Sequence, residues 1–199
     1  MLDINISVVG MSALLMHNVR LADPLDEHTK ALAEETANAR RMKTEAARIA
    51  AQRAEWLGGL YYDPEMGIHM PSSWLLGALA EGGVIYGRKG KAVKQSVVLK
   101  DMNLPLLHDG PSDLEQLWSD PRYRDVRAVG VQRAKVMRTR PKFPKWAVSA
   151  DAWLDDDVLD LAVLRVIADK AGTLTGIGDY RPSTGGGPFG RFKATIEPR

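Results

Sequence analysis

Between Arg122 and Lys145 the sequence places nine cations (Arg122, Arg124, Arg127, Arg133, Lys135, Arg138, Arg140, Lys142 and Lys145) against a single acid, Asp125. The window carries +8 in a chain whose total is +2, so the remainder is −6. Positive charge gathered on an otherwise acidic chain is the footprint of a polyanion-binding surface, whose lysines and arginines neutralise phosphates and release counterions. The same run also suits a solvated strand pair, where charge is only solubilising. Phe143, Trp146 and Trp153 lie close by and could stack bases. Core packing is the competing role, expected for Trp153 and evenly balanced for Phe143.

A second stretch with chemical potential runs from Gly176 to Gly190 and holds six glycines, followed by Arg191. Glycine lets the backbone approach a ligand, and successive amides can cradle an anion. Arg181 and Arg191 would supply charge. The plain alternative is a flexible connection, although a loop this long within a domain is usually functional or disordered.

Other chemistries are argued against. His17, His28, His69 and His108 have no zinc-binding spacing, and no nucleophile elbow occurs. The run Gly82–Lys91 resembles a phosphate loop, but Ala92 stands where serine or threonine is required. Asp155, Asp156 and Asp157 could hold a divalent cation, yet acids there are expected to cap a helix. No metal or cofactor is therefore expected. The chain has no cysteine, which fits a reducing compartment. Its first ten residues lack a basic secretory signature, and no apolar run reaches bilayer length. A cytoplasmic protein without membrane contact is the expectation.

These residues need elements to position them. Ile4, Ile6, Val8 and Val9 predict a strand over 3–16, central in a sheet. A polar loop follows, and Asp26 caps a predicted long helix over 27–57, rich in alanine and charge, with a thin apolar stripe. Residues 60–71 read as a turn between short strands. Ser72 or Ser73 caps a helix burying Trp74, Leu75, Leu76, Leu79 and Val84, and a strand is expected at 93–100. Asp113 caps a short helix to Trp118. Residues 126–140 and 146–154 read as two strands joined by Pro141–Pro144. The triple aspartate opens a helix to Ala171, apolar nearly all round, and a final strand covers 191–196. Along an unbroken strand Arg133 and Lys135 face one side and Arg138 and Arg140 the other, so a single contact face needs a bulge.

Two motifs carry a resemblance. The turn into a helix at Met70-Pro-Ser-Ser-Trp-Leu-Leu-Gly-Ala-Leu-Ala-Glu81, and the glycine-rich loop ending Pro188-Phe-Gly-Arg-Phe192, resemble the RAMP superfamily, above all the backbone subunits that hold guide RNA in CRISPR effector complexes. The resemblance implies an α+β, ferredoxin-like (RRM-like) antiparallel sheet with helices on one face. It implies one domain over 1–199, with a helical insertion at about 26–58 after the first strand. It carries Ser72, Ser73, Gly190 and Arg191 over as RNA contacts, and other effector subunits as partners. Some members cut target RNA with an aspartate in the loop after the first strand, where Asp23 and Asp26 stand here. The long helix replaces the family's early glycine-rich region, and the chain is short for the family. It also looks like a phage or mobile-element relative.

The favoured reading is non-catalytic binding of RNA or single-stranded nucleic acid by a subunit that self-associates head to tail along the strand. Candidate contacts are Arg20, Ser72, Ser73, Arg88, Lys89, Lys91, Arg133, Lys135, Arg138, Arg140, Lys142, Lys145, Arg181, Gly190 and Arg191. Two alternatives stay open. One is a phage structural, assembly or anti-defence protein acting through protein contacts; the other is metal-dependent RNA cleavage at Asp23 or Asp26.

Overall fold

The structure, a computed structural model, describes residues 1–131, 134–184 and 186–199. The fold is α+β. In chain order its elements are β1 (Leu2–Gly10), β2 (Leu14–Leu15), α1 (Glu27–Met42), α2 (Glu45–Gly59), β3 (Tyr62–Asp63), β4 (Gly67–Pro71), α3 (Ser72–Gly87), α4 (Gly90–Ser96), β5 (Val97–Leu99), β6 (Asn103–Pro105), β7 (Leu107–His108), α5 (Leu114–Ser119), β8 (Arg124–Val131), β9 (Ala134–Phe143), β10 (Trp146–Leu154), α6 (Leu161–Lys170) and β11 (Phe192–Pro198). The chain divides into two compact units. The first comprises Met1–Leu14, Tyr62–Asp109 and Pro144–Arg199; the second comprises Leu15–Tyr61 and Gly110–Phe143.

In the first unit an antiparallel sheet has the order β11-β1-β10-β5, with β7 also paired to β10. The central place expected for β1 is observed. Its period-2 pattern buries Ile4, Ile6 and Val8, which oppose Ala152, Ala150 and Val148 of β10. Ile6 also faces the buried Ile196 of β11. Asn5 and Ser7 point the other way, where Asn5 donates to Ser149 (2.9 Å) and Asp151 (2.7 Å). The sheet thus buries one apolar face and exposes the other, which mixes Asn5 and Ser7 with Val9 and Trp153. Chain connections between β1 and β5, and between β10 and β11, carry α3 and α6, which pack on each other. At Gly82 a Cβ would lie 2.7 Å from the Ile167 carbonyl oxygen, so only glycine permits this approach of the two helices.

The core of the second unit is aromatic. Trp56 on α2 is fully buried, tilts against Trp118 at 5.7 Å and donates its indole N–H to the Tyr123 carbonyl at 2.9 Å. Phe143 lies 6.2 Å from Tyr123. The single helix expected over 27–57 is two helices. Lys43 adopts the left-handed conformation (φ 56°) and ends α1, and the Thr44 side chain accepts from the Ala47 N–H to open α2.

Other boundaries also move. The expected strand over 126–140 is the β8–β9 hairpin, paired from Arg124↔Pro141 to Val131↔Ala134. Residues 90–96, where the strand expected at 93–100 begins, form α4, leaving β5 at Val97–Leu99. The N-cap of α3 is Pro71, with no side-chain cap bond, so neither Ser72 nor Ser73 fills that role. Val84 on α3 is 59% exposed rather than buried. Asp160, not the triple aspartate, caps α6, by accepting from Ala162 at 2.6 Å. That helix buries only one face, through Leu164, Ile167 and Ala168. Among the described residues no helix is long and apolar enough to cross a membrane.

Candidate nucleic-acid interface

The basic window falls mostly on the second unit, ending there at Phe143, while Lys145 belongs to the first. Counting the sequence by unit, the second holds 15 basic and 11 acidic residues, and the first 12 and 14. Charge therefore segregates to the unit built on the helical pair and the hairpin.

Within the hairpin, pairing is continuous between the described strands, with Asp125 opposite Arg140, Arg127 opposite Arg138 and Gly130 opposite Lys135. No bulge intervenes, so Lys135 stands on one face, and Arg138 and Arg140 on the other. Arg133 lies outside the described residues. Several cations have acidic partners that the linear window does not contain. Arg122 makes a two-nitrogen bond to Asp120 (2.9 and 2.7 Å). That contact, with the Arg122 backbone N–H, holds the Asp120 carboxyl below its usual range. Arg127 clasps Asp125, the one acid the window does contain. Arg138 donates to Glu55 at 2.9 Å, and the other oxygen of Glu55 accepts from the Thr139 N–H at 2.8 Å. Arg124 lies over the Trp118 ring at 4.5 Å. Lys145 stands 4.0 Å from Asp109 in the first unit. Lys135 is exposed and Lys142 half-buried.

A groove of about 450 Å³ opens between α1, α2 and β9 in this unit, lined by Leu32, Arg40, Arg48, Val136, Met137 and Arg138 among others. Arg40 and Arg48 are exposed and were not singled out from sequence. Only the fold shows them together: the chain turns back between α1 and α2, where Thr44 caps α2, and this brings residues 40 and 48 to one groove.

In the first unit the glycine-rich loop is organised by Arg181. Its guanidinium donates to Ser183 Oγ (3.0 Å), the Gly178 carbonyl (3.2 Å) and Glu81 on α3 (3.3 Å). A small cavity of about 130 Å³ lies there, lined by Ser73, Glu81, Gly176, Gly178 and Arg181. Gly190 has φ 70°, and its N–H donates to Ala13 at 2.8 Å. Arg191 donates its backbone N–H to Ser12 Oγ at 3.0 Å and its guanidinium to the Thr173 carbonyl. Ser72 donates its backbone N–H to Met102 at 2.8 Å. The structure thus brings Ser73 to Arg181, while the basic hairpin belongs to the other unit. Arg88 and Lys91 line a separate groove of about 470 Å³ with Lys94, and Lys89 precedes α4.

The remaining candidates serve local structure. Arg20 donates to the Leu60 carbonyl at 2.7 Å. Asp23 accepts from the Leu25 N–H (2.9 Å), and Asp26 caps α1 by accepting from His28 (2.8 Å). Among the described residues no group of three or more acidic or histidine side chains is placed to hold a metal ion. Of the three aromatics, Phe143 and Trp146 are buried. Trp153, expected in the core, is 44% exposed on the outward face of the sheet, with Lys100 at 5.0 Å from its ring. Its odd position in β10 opposes the inward set Trp146, Val148, Ala150, Ala152 and Leu154, which explains the difference. No family model matches the chain, and no curated protein matches it either.

Proposed function

We propose that the chain binds single-stranded nucleic acid, RNA foremost, without cleaving it, through the basic second unit. The observation that carries this reading is the charge segregation: 15 basic against 11 acidic residues in that unit, and 12 against 14 in the other. The sheet order supports a finer assignment. Counting β1, β5, β10 and β11 as the four core strands, with α3 and α6 between them in sequence, the spatial order is fourth, first, third, second, all antiparallel. That is the order of a ferredoxin-like fold, and it fits the resemblance to RAMP proteins. On this reading the protein is cytoplasmic and further copies follow one another along the strand, as in guide-holding backbone subunits.

The test is a polarisation titration of single-stranded RNA, single-stranded DNA and duplex at low and raised salt. Binding of single strands should weaken as salt rises, each phosphate contact contributing about 0.7 to the logarithmic slope. Absence of binding at low salt, or affinity indifferent to salt, would overturn the reading. A defined oligomer that ignores added oligonucleotide would point to the assembly-protein alternative.

A further inference from the structure

We infer that the groove between α1, α2 and β9 seats an unstacked nucleotide, with Arg40 and Arg48 meeting its phosphates and Val136 and Met137 its base. This rests on the nucleic-acid reading above and gives that reading a site.

The groove measures about 450 Å³, within the span of about 300–1,000 Å³ usual for small-ligand sites. Two of its lining residues are hydrophobics in the open, Met137 at 56% exposure and Val136 at 38%. Alternation along β9 puts these two on opposite faces of the strand, so the groove reaches round an edge of the hairpin and does not lie on one face. Methionine is flexible and polarizable, and so adapts to a flat ring. Arg40 comes from the last turn of α1 and Arg48 from the first half of α2, both exposed. Their guanidinium groups are always charged and match phosphate oxygens in pairs. The acid within the groove, Glu55, already accepts from Arg138 and the Thr139 N–H, so its charge is compensated rather than presented to an incoming anion.

Cations beside accessible apolar side chains select the form of the ligand. A duplex shows phosphates but keeps its base faces stacked inside. A single strand offers phosphate and base face together. Charge complementarity also admits an acidic amphipathic peptide, but a peptide helix would need a longer apolar track than these few side chains supply.

The experiment uses the full chain with a short uridine-rich RNA carrying one thiouridine and a fluorophore, beside a duplex of equal length. R40A/R48A and M137E alter exposed positions, and K30A changes an exposed cation on α1 outside the groove lining. Matching thermal melts establish that the variants fold. R40A/R48A should lower single-strand affinity about tenfold and reduce the salt slope by about 1.4. M137E should weaken single-strand binding more than duplex binding, and K30A should leave both unchanged. Thiouridine crosslinks should map to peptides containing residues 136–139 or 48–55. Wild-type binding that R40A/R48A and M137E leave unaltered, or crosslinks confined elsewhere, would overturn the groove and leave the function standing. A wild type that binds no RNA at low salt would overturn both. Binding of an acidic amphipathic peptide, lost in R40A/R48A, would then assign the groove to a protein partner.

Discussion

Glu55 is the residue on which the second unit's polar order turns. It is only 7% exposed, and its two oxygens serve Arg138 and the Thr139 N–H. Removing the carboxylate strands a buried backbone donor and leaves a partly buried guanidinium uncompensated. Glu55→Ala should therefore cost about 3 kcal/mol, and Glu55→Gln less, because an amide oxygen still accepts one bond. Urea denaturation of both variants checks the ranking; equal losses would mean that packing, not hydrogen bonding, sets the cost. In the first unit His108 on β7 responds to pH. Burial holds its pKa below the usual 6.5, partly opposed by Asp109. The folded state therefore binds the proton less readily than the unfolded chain. The contribution of His108 to stability is full above 6.5 and is lost as pH drops from there towards the folded value. An NMR titration should find His108 below 6.5, and H108Q should lose less stability on acidification than the wild type.

At the scale of elements, the break between α1 and α2 decides the architecture of the second unit. Lys43 occupies the left-handed region at φ 56°, where a Cβ is strained and glycine is not. Lys43→Gly should stabilise the helical pair by about 0.5–1 kcal/mol, read as a shift in urea midpoint. A destabilisation would mean that the turn depends on the lysine side chain instead. The break also shows where the sequence was legible. Alternation in β1 was open to reading, because Ile4, Ile6 and Val8 are buried by one mechanism, the period of the strand. The α1–α2 boundary was not, because alanine-rich helical propensity runs across it, and Thr44 competes only weakly until tertiary packing rewards the fold-back. The hairpin was missed for a similar reason. Both of its strands, β8 and β9, lie inside one basic run, so no composition shift separates them.

At the scale of the molecule, linear charge and spatial charge differ, and the difference sets what binding must look like. Nine cations against one acid reads as a phosphate track. In space Asp120 and Glu55 join Asp125, so Arg122, Arg127 and Arg138 each begin with an acidic neighbour. A cation already paired releases fewer counterions when it meets a phosphate, since its field is partly compensated beforehand. The salt slope should therefore fall short of that expected for nine contacts, about 6 for a single strand. Among the described residues Lys135 and Lys142 make no such acidic ion pair, while Arg88, Lys89 and Lys91 are the comparable run of cations in the first, net acidic unit. Lys135 and Lys142 fall on opposite faces of β9, so neutralising both to alanine should reduce the slope by about 0.7, for the one that meets the strand, with little change in thermal stability. Neutralising Arg88, Lys89 and Lys91 should reduce it less, although three charges are removed. Titrations of both variants against one single-stranded RNA across a salt series decide the matter. A larger loss from the Arg88–Lys91 variant would place the nucleic acid on the first unit, and with it the functional weight of the fold.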